Sequence, residues 1–207
     1  RDLACRNIDS HYDLAEHQYG EFISRCARDG LERLIHPSIE REVRRELTET
    51  AEEHGVGVFA KNLRSLLLQP PMRDKRVLAI DPGFRSGCKI AVLDEVGQCL
   101  HHDVIYLSTE EKRTAGIEKL KALIEEHHCN QVAIGNGTAC RETEELISEL
   151  IAEHCPDCRY LIVNEAGASI YSTSVAAGEE FPDLDATVRG TISIGRRLQD
   201  PLSELVK

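Results

Sequence analysis

Three strand-like apolar runs between Arg76 and Leu107, with no room for a helix between them, set the tightest limit on what this chain can fold into. The first, RVLAIDPG, ends on Asp81 and is broken by Pro82-Gly83. CKIAVLD follows a tight turn, and Glu95-Val96-Gly97 reads as a hairpin loop before QCLHHDVIYL. The grammar then switches to alternation. A helix around Ile117 to His127 leads to the strand QVAIG. A second helix, from about Glu142 to His154, leads to RYLIVNE, and a last helix starts near Asp185.

Three antiparallel strands followed by alternating helix and strand is the β-β-β-α-β-α-β-α order of an α/β RNase H-like mixed sheet. A doubly wound dinucleotide fold would begin with strand-helix alternation and a G-x-G-x-x-G turn, and neither is present. This reading assigns residues 76 to 207 to the sheet domain. Residues 1 to 71 read as a helical segment. From Ser38, a predicted N-cap after Pro37, Ile39, Val43, Leu47 and Ala51 recur every fourth residue. A break is expected at Gly55 to Gly57, then more helix through Phe59, Leu63, Leu66 and Leu67 until Pro70-Pro71. Tyr19 to Leu34 also reads as helical, and the apolar stripe of residues 39 to 68 predicts packing on something. Arg41, Arg44 and Arg45 alternate with Glu and read as a solvated face.

Composition narrows the partners. A net charge of -11 argues against this chain alone gripping a polyanion tightly, because that affinity comes from Lys and Arg displacing counterions. No apolar run approaches the roughly 20 residues of a bilayer span, and RDLACRNIDS does not resemble a secretory signal. A cytoplasmic protein is expected, with its eight cysteines reduced and most of them buried. A start at Arg1 and a stop at Lys207 without a capping glycine predict a piece of a longer protein.

Carboxylates stand where an RNase H-like nuclease holds two divalent cations: Asp81 ending the first strand, Glu165 ending RYLIVNE, and Asp185 opening the last helix. Asp81 and Glu165 are the candidate metal ligands. Hard oxygen donors suit magnesium or manganese, although no cofactor is required by the reading. Each acid also has a plain structural reading: Asp before Pro-Gly forms turns, and Asp185 is an ordinary N-cap. Arg189, one helical turn on, is placed to pair with Asp185, and Arg85 and Lys89 are placed to compete at Asp81. The third acid is therefore the weak one, and a degenerate site is expected. In GNGTACRE, Gly135, Asn136, Gly137, Thr138 and Arg141 form a candidate phosphate nest, with Gly83 and Arg85 of DPGFRSG at the same sheet edge. Cys155 and Cys158 have C-x-x-C spacing beside His154, but His127, His128 and Cys129 only loosely supply a second pair of zinc ligands, so a reduced pair near solvent is expected.

The runs VLAIDPGFRSGCKIAVLD, AIGNGTACRETE and VNEAGASIYSTS, then EEFPDLDATVRGTISIGRRLQDPLSELVK, closely resemble the Tex family of transcription accessory proteins. PSIEREVRRELTETAEEHGVGVFAKNLRSLLLQPP resembles it as well, so the likeness covers nearly the whole chain. The resemblance implies a YqgF or RuvC-like domain from about Arg76 in a multidomain bacterial protein. Helical domains would precede it, and helix-hairpin-helix elements and an oligonucleotide-binding barrel would follow. It also implies association with nucleic acid, RNA more than DNA, gripped mainly by the barrel, and with the transcription machinery. Asp81 and Glu165 match the acidic positions by motif; Asp185, with Asp183 as competitor, matches only by place. The expectation is a module that does not cleave. The alternatives are a metal-dependent endonuclease using Asp81, Glu165 and Asp185, and an actin-like phosphotransferase, of which one domain supplies only half a cleft.

Overall fold

The computed structural model describes residues 2–207, which fall into two compact units, up to Leu63 and from Arg64 onward. The first holds α1 (Asp2–His11), α2 (Gly20–Gly30) and most of α3 (His36–Leu67), with a wide π turn over Leu31–Ile35 joining α2 to α3. The turn explains why Ser38 is not the expected N-cap. Proline lacks an N–H, and its ring clashes with the carbonyl four residues back. Widening the helix so that the His36 N–H reaches the Leu31 carbonyl lets the chain run through Pro37 without ending. The break expected at Gly55 to Gly57 does not occur either, and α3 continues through both glycines. Neither adopts the left-handed conformation of a helix stop, so each only lowers helix propensity, by about 1 kcal/mol. Within this unit Ile39, Val43 and Leu47 stay exposed.

The second unit is built on a five-stranded sheet in the order β3-β2-β1-β4-β5, formed by β1 (Val77–Asp81), β2 (Cys88–Leu93), β3 (Cys99–Ile105), β4 (Gln131–Gly135) and β5 (Arg159–Val163). β1, β2 and β3 are antiparallel, while β1, β4 and β5 are parallel, so the expected RNase H-like α/β fold is the one observed. Alternation along the strands sorts side chains onto two faces. Leu78, Ile80, Ile90, Val92, Val132 and Ile134 point to one face and pack against α4 (Glu110–His127) and α5 (Cys140–Glu153) in an apolar core. α4 starts earlier than Ile117 because Thr109 caps it, accepting the Lys112 N–H at 3.3 Å, with Glu110 and Glu111 at its positive end.

The other face carries small residues, Ala79, Ala91 and Ala133, which let α8 (Ala186–Gln199) approach closely. A Cβ on Gly195 would stand 2.9 Å from that of Ala79 and 2.5 Å from Leu93 Cδ1. Asp185 caps α8, as expected. Buried polar groups at the far end of α8 tie down the hairpin: Arg196 Nε donates to the Gly97 carbonyl (2.7 Å), and Gln199 Nε2 to those of Asp94 and Lys75 (2.6 and 2.8 Å). Three short helices escaped the sequence reading: α6 (Ala168–Ser172), α7 (Val175–Glu180) and α9 (Pro201–Leu205).

Candidate functional site

Because Leu78 and Ile80 face α4 and α5, alternation turns Asp81 to the α8 side. Its antiparallel partner Lys89 lies on the same side, and so does Gly135 at the end of β4. Glu165 arrives from just beyond β5 and lays its carboxylate across the glycines of β4 and its loop. A Cβ on Gly135 would lie 2.7 Å from Glu165 Oε2, and one on Gly137 would overlap Oε1. Asn136 Oδ1 accepts the backbone N–H of Glu165 at 3.0 Å, and the Asn136 N–H donates to the Val163 carbonyl at 3.0 Å. The cradle expected to hold a phosphate at Gly135 and Gly137 is therefore filled by the protein's own carboxylate. Thr138 and Arg141 are exposed at the start of α5, whose cap position, Ala139, takes a left-handed φ of 71°.

Asp81 and Glu165 line one cavity of about 290 Å³ with Lys89, Ala168, Ser169, Ser172, Thr173, Ala186, Thr187, Gly190 and Ile194. Burial raises the Asp81 carboxyl above its ordinary range, opposed by the Lys89 ammonium. Burial, then the charge of Asp81, raises Glu165, opposed by the Gly137 amide and Arg197. Oε2 of Glu165 is buried without a hydrogen-bond partner. Arg197 escaped the sequence reading. Its guanidinium, buried under the chain after β5, donates to the carbonyls of Asn164 and Ala166 (2.6 and 2.9 Å) and so fixes the backbone on both sides of Glu165. The available signal was an arginine inside the apolar stripe ISIGRRL of α8.

The third candidate is placed differently. Asp185 Oδ1 accepts from the Thr187 N–H (2.7 Å), the Val188 N–H (3.0 Å) and the Thr187 hydroxyl (2.6 Å). These bonds hold its carboxyl below the ordinary range. The expected pairing with Arg189 does not form, because Arg189 Nε donates to the Phe181 carbonyl at 3.0 Å. The α8 side of the cavity presents Ala186, Thr187, Gly190 and Ile194, which bring no carboxylate. Two carboxylates, four hydroxyl-bearing neighbours and a lysine do not make the donor set of a two-ion centre. Among the described residues no group of three or more His, Cys, Asp or Glu stands close enough to hold a metal ion.

The loop after β1 folds on itself. The space a Gly83 side chain would need is closed by the Gly87 carbonyl (2.8 Å) and Ser86 Oγ (3.0 Å), and Arg85 projects into solvent. The C-x-x-C pair is buried, contrary to the expectation of a pair near solvent: Cys155 and Cys158 lie in the core under α4 and α5, and Cys158 Sγ donates to the Cys129 carbonyl. Burial pushes the Cys129 and Cys158 thiols up to about 11. Cys26, Cys88, Cys99, Cys129, Cys140, Cys155 and Cys158 are free thiols, and the Cys5 side chain lies outside the described residues.

The family model for the Tex protein YqgF-like domain matches residues 75–199. The chain belongs to this family. Relatives of this Tex YqgF-like domain include the "Uncharacterized protein YdcI" of Bacillus subtilis, 52% identical over 90% of this chain and 26% of that protein. The human "S1 RNA-binding domain-containing protein 1" is 47% identical over 86% of this chain and 18% of its own length. The "Transcriptional accessory protein Tex" of Neisseria gonorrhoeae is 46% identical over 82% and 22%. The Tex YqgF-like chain thus spans about a quarter or less of these relatives. Among solved structures it is similar to "T. thermophilus RuvC in complex with Holliday junction substrate", with 12% identity, a TM-score of 0.47, and coverage of 59% of this chain and 91% of that one. Among the described residues, no helix is long and apolar enough to cross a membrane.

Proposed function

We propose that this domain is the central, non-cleaving module of a transcription-associated protein that works beside nucleic acid, RNA rather than DNA, and that its RNase H-like sheet orders neighbouring parts of a longer protein. The observation that carries the reading is the α8 side of the cavity. Without a carboxylate from that helix, Asp81 and Glu165 have no third arm with which to hold two cations in line with a scissile phosphate. The relatives' names support the setting in transcription and RNA binding. The acidic balance supports assigning the main polyanion grip elsewhere.

A metal-dependent endonuclease is the second reading, favoured by the unpartnered Oε2 of Glu165 beside Asp81. A cleavage assay separates the two. The chain is incubated with manganese and either four-way-junction DNA or single-stranded RNA, alongside Asp81→Asn. The expected result is no cleavage above that variant. Metal-dependent cleavage lost in Asp81→Asn and in Glu165→Gln would establish the nuclease instead.

A further inference from the structure

The loop after β1 carries a feature that the carboxylate pocket does not use. The chain has no tryptophan and few aromatic residues, yet Phe84 and Tyr106 are 55% and 45% exposed beside this loop. The loop is held rigid. Lys89 Nζ donates to the Gly87 carbonyl (3.0 Å) and to Ser86 Oγ, and the Cys88 thiol to the Gly83 carbonyl. Gly87, with φ at 76°, sits so close to Tyr106 that a Cβ there would lie 2.9 Å from the ring. Tyr106 thus lies against the base of the loop, and Phe84 and Arg85 form its tip. A cation stands by the Tyr106 ring, and an arginine follows Phe84 in sequence. Lys112 Nζ stands 5.6 Å from the Tyr106 ring centroid, and Arg85, adjacent to Phe84, makes no hydrogen bond or ion pair within the described residues.

Exposed rings on a fixed backbone, with Lys112 beside one and Arg85 next in sequence to the other, suit one chemistry: the π-face of an unpaired base, with its phosphate neutralised next to the stack. We propose that Phe84 and Tyr106, with Arg85 and Lys112, form a stacking platform for unpaired nucleobases at the sheet edge next to Asp81. The proposal rests on the nucleic-acid reading above and adds to it the site and the single-stranded form of the ligand. The platform tolerates sequence variation, because every base offers a π-face. It needs little net positive charge, because stacking contributes apart from counterion release.

The lack of native tryptophan gives a direct test. Phe84→Trp installs the sole indole of the chain at the platform. This variant is titrated with oligouridylate of about a dozen nucleotides, with DNA of matching length, with the corresponding RNA duplex and with an abasic strand. Saturable quenching by the single strands, and none by the duplex or abasic strand, is expected; comparing the RNA and DNA arms identifies which polymer is the better ligand. Phe84→Ala, with an unchanged melting temperature, is expected to weaken single-strand binding by roughly 10-fold in fluorescence anisotropy of a labelled strand. Binding without quenching, and with unchanged affinity in Phe84→Ala, would overturn the platform and leave nucleic-acid association standing. No binding of any strand by the unsubstituted chain would overturn the platform and leave the nucleic-acid reading, which assigns the main grip elsewhere, standing.

Discussion

The two faces of the sheet solve different problems with the same strands. The centre of the face under α4 and α5 is branched and apolar, with Leu78, Ile80, Ile90, Val92, Val132 and Ile134, and the helices above it supply Leu120, Leu123, Leu146, Ile147 and Leu150. The centre of the face under α8 carries Ala79, Ala91 and Ala133 beside Val77 and Leu93, and the helix above it buries Thr191, Ser193, Arg196, Arg197 and Gln199. One face holds the fold together. The other, by staying small, brings a helix close enough for polar groups to fix loops and for two carboxylates to share a cavity. Closeness is what places the site on the α8 face.

Substitutions separate the two faces. On the α4 and α5 face, Leu78→Ala empties fully buried volume and is expected to lower stability by roughly 2–5 kcal/mol in chemical denaturation. On the α8 face, adding atoms rather than removing them does the damage. Gly195→Ala drives a methyl into Leu93 and Ala79 and is expected to cost about 1–3 kcal/mol. An equal tolerance of Ala at Gly195 and at exposed Gly55 would break the comparison.

Smaller effects distinguish the acids by sign. Asp185→Ala removes the α8 cap and is expected to cost about 1 kcal/mol at neutral pH. Its folded carboxyl titrates below the ordinary range, so this stabilisation is present above the unfolded value and is lost as the pH falls through the folded one. Asp81 behaves oppositely. Its folded carboxyl titrates above the unfolded value, so ionisation at neutral pH disfavours the fold, and the penalty disappears as the pH falls through that raised value toward the ordinary one. Asp81→Asn is therefore expected to raise the melting temperature slightly at neutral pH, with the gain shrinking in acid. A loss of stability in Asp81→Asn across the whole range would contradict the assigned burial penalty.

Much of the sheet was legible in the sequence, because apolar runs bounded by Pro-Gly and Glu-Val-Gly leave few ways to order five strands. Asp81 and Glu165 were legible for the same reason: each closes or follows a strand whose end is marked. Asp185 was legible as a cap. What escaped was direction, since position at a helix start does not say whether a carboxylate turns toward the cavity or back onto its own amides. The loop at Gly135 and Gly137 looked like a phosphate nest because glycines report only that something approaches closely. That something is Glu165, 28 residues beyond Gly137. Counting Thr187, Gly190 and Ile194 at helical spacing would have revealed the α8 side of the cavity. In the first unit, periodicity identified helix but not the π turn that accommodates Pro37.

Manganese calorimetry on the chain and on Glu165→Gln tests the central claim most directly, because it counts the ions that the cavity can hold. The account predicts at most one weakly held ion, lost in Glu165→Gln. Two ions bound to the unsubstituted chain, with both lost in that variant, would contradict it and require a third ligand that α8 does not present.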